Sequence, residues 1–206
     1  MKTLLIFPAQ WYPTQPYLST PYLTAFLQDK GWQVSQRDFN IESYDHFLSI
    51  PLLRKAEELM QARQQALKSQ SSLSIKEKST LDVLSMGLKF SGRIIDGIEE
   101  AKSVMRTPER FFDFGAYKQA DMVIKSALKL VSDAYSPAIF SLSTFESGTR
   151  AEESTQKAHE TTRDLATNPF IHLYEKTLHH ISLEYTERSN VLFVEMHLQL
   201  NSRSYE

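Results

Sequence analysis

The chain contains no cysteine. That absence excludes disulfides, a thiolate nucleophile, cysteine-ligated zinc and any iron–sulfur cluster held by the chain's own residues. Glycine is scarce, 6 in 206 residues, and none falls before Gly31. A Gly-x-Gly-x-x-Gly turn is therefore missing from the N-terminal region, and no phosphate-cradling glycine loop or Gly-x-Ser-x-Gly elbow occurs anywhere. Nicotinamide or flavin binding of the usual kind is not expected. Long apolar runs are also lacking: nothing approaches the roughly 20 residues of a membrane span. The N-terminal apolar stretch is stopped by Pro8 too soon to be a signal peptide, so the cytoplasm is the expected location. Charge of one sign is lacking too. With 23 basic and 25 acidic residues the net charge is -2, which gives no electrostatic reason to bind nucleic acid or an anionic membrane. Histidine offers little. His172, Glu175 and His179 are spaced to share helix faces, but no further ligands sit at compatible spacing, and no His-Glu-x-x-His is present. They read as a solvated helix face, and no metal site is expected.

What is present is informative at the N-terminus. Thr3-Leu4-Leu5-Ile6-Phe7 is a short apolar run ended by Pro8. A helix follows, with Thr20 as its expected cap, Pro21 in its first turn, Tyr22, Leu23, Phe26 and Leu27 as an apolar stripe, and Gly31 to close it. Val34 to Asn40 reads as a second strand. A strand, a loop, a helix and a strand open a doubly wound parallel sheet, which binds ligands at the carboxyl ends of its strands. Thr3–Phe7 and Val34–Phe39 should then be parallel neighbours, with Val191–Leu198 as a third strand on the other side of the first.

The Pro8–Thr20 loop is the candidate site. Pro8, Pro13 and Pro16 stiffen it, Trp11, Tyr12 and Tyr17 offer flat apolar surface, and Gln10, Ser19 and Thr20 offer hydrogen bonds. A large planar ligand with polar edges suits that mixture. The plainer reading is a rigid loop packed over the sheet edge. Asp38 and Asn40, at the expected end of the second strand, lie where dinucleotide folds place a ribose-binding acid.

From about residue 44 to 135 the character becomes helical. Leu52, Leu53, Ala56, Leu59, Met60, Ala66 and Leu67 recur at helical spacing up to a polar break at Ser69-Gln70-Ser71-Ser72. Ser74-Ile75-Lys76-Glu77 has the form of a capping box before a long helix. Gly87, Gly92 and Gly97 lie inside that helix and permit a neighbour to come close. Phe111, Phe112 and Phe114 form an aromatic knot before Gly115, and a further helix must finish before Pro137. These stripes read as core packing. Ala138 to Phe145 looks extended, and Asn168-Pro169 starts another helix.

Leu4-Leu5-Ile6-Phe7-Pro8, the loop with Pro16, Pro21-Tyr22-Leu23-Thr24-Ala25-Phe26-Leu27, Gly31-Trp32-Gln33-Val34 and Arg37-Asp38-Phe39-Asn40 together resemble the start of cobalamin-dependent radical S-adenosylmethionine enzymes. Asn168-Pro169-Phe170-Ile171-His172-Leu173-Tyr174-Glu175 looks like the segment before the third strand of the same N-terminal domain. The resemblance spans residues 1 to about 184. It implies a single domain, 1–206: an α/β fold in which an incomplete Rossmann-like parallel sheet of about three strands carries a helical insertion over 44–135, with a divergent tail over 184–206. It implies cobalamin as cofactor, held by Pro8, Gln10, Trp11, Tyr12, Pro16, Ser19, Thr20, Asp38 and Asn40. The family's CxxxCxxC triad is absent, so no iron–sulfur cluster and no catalysis are expected of this chain alone. Its Asp-x-His-x-x-Gly motif is absent as well, so no histidine is assigned beneath a corrin. The chain reads as a truncated front end, which implies self-association or a partner that supplies the remaining radical portion. The alternative is a non-catalytic interaction module or domain remnant that packs on a partner chain. A glycosyltransferase-like half would open similarly, but its glycine-rich first loop is missing.

Overall fold

Every residue from Thr3 to Phe7 is buried, a pattern that fits a strand covered on both faces and paired on both edges. The computed structural model describes residues 2–8, 12–13, 15, 17–136, 138–142, 145–146, 173, 177, 179, 181 and 189–193. Within them β1 (Lys2–Phe7) is the middle strand of a three-stranded sheet. Parallel to it on one side runs β2 (Gln33–Asp38), and on the other β5 (Ser189–Phe193), with Leu4 opposite both Ser35 and Val191. The expected neighbours are therefore neighbours. The third strand begins at Ser189, and residues 194–198 of its expected span lie outside the described residues. The chain is a mixed α/β structure in which helix predominates.

The helix α1 (Ser19–Asp29) joins β1 to β2. Its cap is not Thr20. The N-cap position is Leu18, which makes no side-chain capping bond, and Thr20 lies one residue inside the helix. Gly31 closes it as expected: at φ +81° it takes the left-handed conformation that glycine alone adopts without strain. Its N–H donates to the Gln28 carbonyl at 2.9 Å, and the Trp32 N–H donates to that of Leu27 at 3.0 Å. The expected apolar stripe splits. Leu23 and Leu27 are half-buried, but Tyr22 is 72% and Phe26 50% exposed. The Tyr22–Phe26 row is turned by about 100° from the Leu23–Leu27 row, and the buried side of the helix is centred on Thr20, Leu23 and Leu27, which leaves Tyr22 and Phe26 at its exposed margin.

β2 stops at Asp38, not at Asn40. The Asp38 carboxylate accepts the Ile41 N–H at 3.0 Å and so caps α2 (Phe39–Phe47), overriding the β-propensity of Phe39. The helical region thus begins at Phe39 rather than at residue 44. Asp38 is exposed as a residue, but local desolvation of its carboxyl raises the pKa above the ordinary 3.8, against the pull of the Ile41 and Asn40 amides. A raised folded pKa means that the group's favourable contribution is complete below its unfolded pKa and is lost as pH rises through the folded one. Asp38→Ala should cost about 1 kcal/mol from loss of the cap. Asp38→Asn, which caps without charge, should match or exceed wild-type stability at neutral pH. Urea unfolding of both variants at neutral and acidic pH checks this.

The other helices begin at clear caps. Ser49 precedes α3 (Ile50–Lys68) and accepts the Leu52 N–H. The capping box before α4 (Ile75–Arg106) is formed as read, with Ser74 N–H donating to Glu77 at 2.8 Å and Glu77 N–H to the Ser74 hydroxyl at 3.3 Å. A short α5 (Pro108–Phe111) follows, and Asp113 caps α6 (Phe114–Ala134) by accepting the Ala116 N–H at 2.7 Å. Leu53, Met60, Ile95, Ile98, Ala127 and Leu128 fill the interior where α3, α4 and α6 meet. At Gly87 the helices come close: a Cβ there would sit 2.7 Å from the Met60 Cε, the mobile end of a flexible side chain that would have to shift.

Ala138 to Phe145, expected to be extended, carries short strands among its described residues. These are β3 (Ile139–Phe140) and β4 (Phe145–Glu146), an antiparallel pair joined to α6 by Ser132, whose hydroxyl accepts the Phe140 N–H at 2.8 Å. The apolar core is in two parts. One is the helical cluster, and the other gathers Leu4, Ile6, Phe39 and Ile181 on the sheet. Helix α2 serves both, with Phe39 in the sheet cluster and Phe47 in the helical one.

Candidate functional site

The chain leaves β1 at Pro8 and comes back with the Tyr17 ring stacked on Phe7, centroids 4.2 Å apart and planes inclined at 16°. Between them the Gln15 N–H donates to the Tyr12 carbonyl at 3.0 Å, the bond of a β-turn with Pro13 in its favoured second position. Tyr12 and Pro13 therefore stand as one wall of a cleft of about 720 Å³. Ile41, Tyr44, Asp45 and Leu48 of α2 form the adjacent wall. Met105 and Arg106 at the end of α4, Phe111 and Phe112 of the α5 turn, and Tyr117 and Ile124 of α6 complete it. Phe111 packs edge-on to both Phe112 (5.4 Å, 88°) and Tyr117 (5.3 Å, 80°). The lining is mostly apolar and aromatic, with charge at the rim.

Each rim charge has a partner. Arg106 bonds the Asp45 carboxylate, and Lys125 donates to Asp121 at 2.7 Å, which raises the lysine pKa. Tyr44 donates to the Leu142 carbonyl at 2.6 Å. Burial, reinforced by the neighbouring Tyr12 hydroxyl, pushes its pKa well above the ordinary 10.0. It stays a neutral donor across the physiological range, so the cleft holds a phenol there and not a base.

Of the residues singled out in the sequence, Tyr12 lines this cleft. Pro8 is half-buried at the end of β1, and Ser19 is exposed at the start of α1. Thr20 is 5% exposed, and its hydroxyl has no hydrogen-bond partner among the described residues. Asp38 is engaged as the α2 cap, and Asn40 is buried within α2; neither they nor Thr20 line the cleft. Gln10, Trp11 and Pro16 lie outside the described residues. Sequence reasoning missed Tyr44, Arg106, Phe111, Phe112 and Tyr117. The available signal was the aromatic knot, read as core. Phe112 is 83% and Phe114 77% exposed, which core packing does not explain.

No group of three or more metal-ligating side chains could hold an ion among the described residues. None of the described helices is long and apolar enough to cross a membrane. No protein-family model, no curated protein and no solved structure matches this chain.

Proposed function

We propose that the chain is a ligand-binding α/β domain of the cobalamin-binding type, related to the N-terminal part of radical S-adenosylmethionine enzymes and non-catalytic by itself. The observation that carries this reading is the aromatic cleft at the loop after β1, where a parallel sheet of this order places ligands. Tyr12, Tyr44, Phe111 and Tyr117 offer the flat apolar surface that a corrin needs, and the Arg106–Asp45 and Lys125–Asp121 pairs offer polar contacts at its edge. No cleft-lining residue is a histidine, so the described cleft supplies no imidazole beneath the ring. A bound corrinoid would supply the methyl-carrying chemistry of the family. The chain's own residues bind and orient it, and the cysteines for radical generation would have to come from outside this sequence.

The test is retention of hydroxocobalamin after desalting, read from its visible spectrum. Wild type should retain it. Tyr12→Ala with Phe111→Ala should weaken binding by about 1–3 kcal/mol if both rings pack on the ligand. No retention by wild type, or equal retention by both proteins, removes the reading. A separate expectation follows from composition: reconstitution with iron and sulfide should give no cluster absorption and no S-adenosylmethionine cleavage. Deoxyadenosine above a no-protein control would contradict it.

One observation favours the alternative of an interaction module. Leu18, Tyr22, Phe26 and Trp32 expose apolar surface on and beside α1, as a face awaiting a partner chain does.

A further inference from the structure

A second concavity, of about 670 Å³, runs between α4 and α6. The two helices are antiparallel there, since Gly97 lies against Val123 and Gly87 towards Asp133. Its surface is apolar and open. Met86 is 66%, Met122 56%, Phe90 43% and Val83 42% exposed. On α4, Val83, Met86, Phe90 and Arg93 follow the alternating three- and four-residue spacing of a helix–helix seam.

The charges along this seam are arranged in an unusual way. Lys129 and Asp133 on the α6 side bind each other at 2.9 Å. Asp82 and Arg93 on α4 are exposed and have no ion-pair partner among the described residues. They are opposite in sign and lie about three turns apart, at the two ends of the apolar stretch. Their midpoint falls at Gly87–Leu88, and the midpoint of Met86 and Phe90 falls at Leu88. A helix with an acid and a base equidistant from its apolar centre is complementary to itself when reversed.

We propose that this groove is a self-association site in which α4 packs antiparallel on α4 of a second copy, about a two-fold axis passing near Gly87–Leu88. The isologous arrangement makes each contact twice. Met86 of each copy meets Phe90 of the other, a favourable sulfur–aromatic pairing. Asp82 of each copy meets Arg93 of the other. With α6 alongside, the two copies form a four-helix interface. Parallel packing would set Asp82 against Asp82 and Arg93 against Arg93. A foreign helix would fill the groove without needing opposite charges equidistant from its centre.

Sedimentation of the full chain over a concentration series tests the proposal, with circular dichroism confirming that each variant keeps its helix. Wild type should dimerise, and more weakly at high salt because rim charges are screened. Phe90→Glu should abolish the dimer. Asp82→Arg or Arg93→Asp alone turns two attractive contacts repulsive and should weaken the dimer by about tenfold. The double variant, Asp82→Arg with Arg93→Asp, restores opposite signs and should return to within about twofold of wild type. A chain still monomeric at about 0.1 mM overturns the proposal, being weaker than a specific interface requires. So does a dimer indifferent to Phe90→Glu, which would lie on another face. Single reversals without effect, or a double variant that is not restored, overturn the antiparallel register and with it the proposal.

Discussion

Phe47→Ala should lower the free energy of unfolding by about 3–5 kcal/mol, the cost of emptying a large aromatic site that cannot collapse. Phe47 is 1% exposed at the end of α2, with its ring 5.3 Å from Phe140 and packed edge-on against His46. The position matters as much as the volume. Its own helix begins with Phe39 in the sheet cluster, so α2 contributes a ring to each apolar cluster and joins them. Loss of the Phe47 ring removes a packing contact between α2 and β3, leaving the Ser132 and Tyr44 hydrogen bonds to hold that segment. Since a whole domain of this kind is stable by roughly 5–15 kcal/mol, such a variant should lose a large part of its margin. Phe112→Ala is the matched control: the same ring is deleted, but from a site 83% exposed. It should stay within about 0.5 kcal/mol of wild type. Urea denaturation of the two variants distinguishes burial from ring chemistry, and similar midpoints would refute the assignment of Phe47 to the core.

The elements legible in the sequence were those written in local chemistry. Ser74 and Glu77 announced their helix because both partners of the capping box lie within one turn. Gly31 announced the end of α1 because a positive φ admits little else. The buried run Thr3–Phe7 announced a central strand, since neither of its faces alternates to polar. Misreadings arose where two local signals competed. At Asp38-Phe39-Asn40 the aromatic favoured extension, but the aspartate's capping bond to Ile41 won, and the expected strand end became the first turn of α2. In α1 four apolar residues looked like one stripe, although Tyr22 and Phe26 are exposed and only Leu23 and Leu27 are half-buried.

The cleft was half legible. Its loop wall could be found because prolines and aromatics crowd a position where parallel sheets bind ligands. Its other walls could not, because Tyr44, Arg106 and Phe111 are far apart in sequence and meet only through the packing of α2, α4 and α6. Tyr44 illustrates the limit. Its role depends on the Leu142 carbonyl, 98 residues away, and no periodicity reports such a bond.

Leu5→Glu should be the most damaging change at the sheet, by at least about 4 kcal/mol, because it places a carboxyl where no water reaches. Leu5 is fully buried in the central strand, between Gln36 on β2 and Leu192 on β5. The new side chain has no outward rotamer that keeps both ladders, since each edge of β1 is paired and each face covered. Either the carboxyl stays neutral at a cost or the strand withdraws. The helical cluster, filled by α3, α4 and α6, does not depend on Leu5 for its packing. Far-ultraviolet circular dichroism should therefore retain most of its helical signal while the protein loses its cooperative high-urea transition. Ligand retention should fail with the sheet, because Tyr12 and Pro13 belong to the loop that leaves β1 and returns to it at the Phe7–Tyr17 stack, and displacing the strand should displace that wall of the cleft. If instead the helical signal collapses together with the sheet in a single transition, the two apolar clusters are one cooperative unit, and α2 couples them more tightly than their separate packing implies.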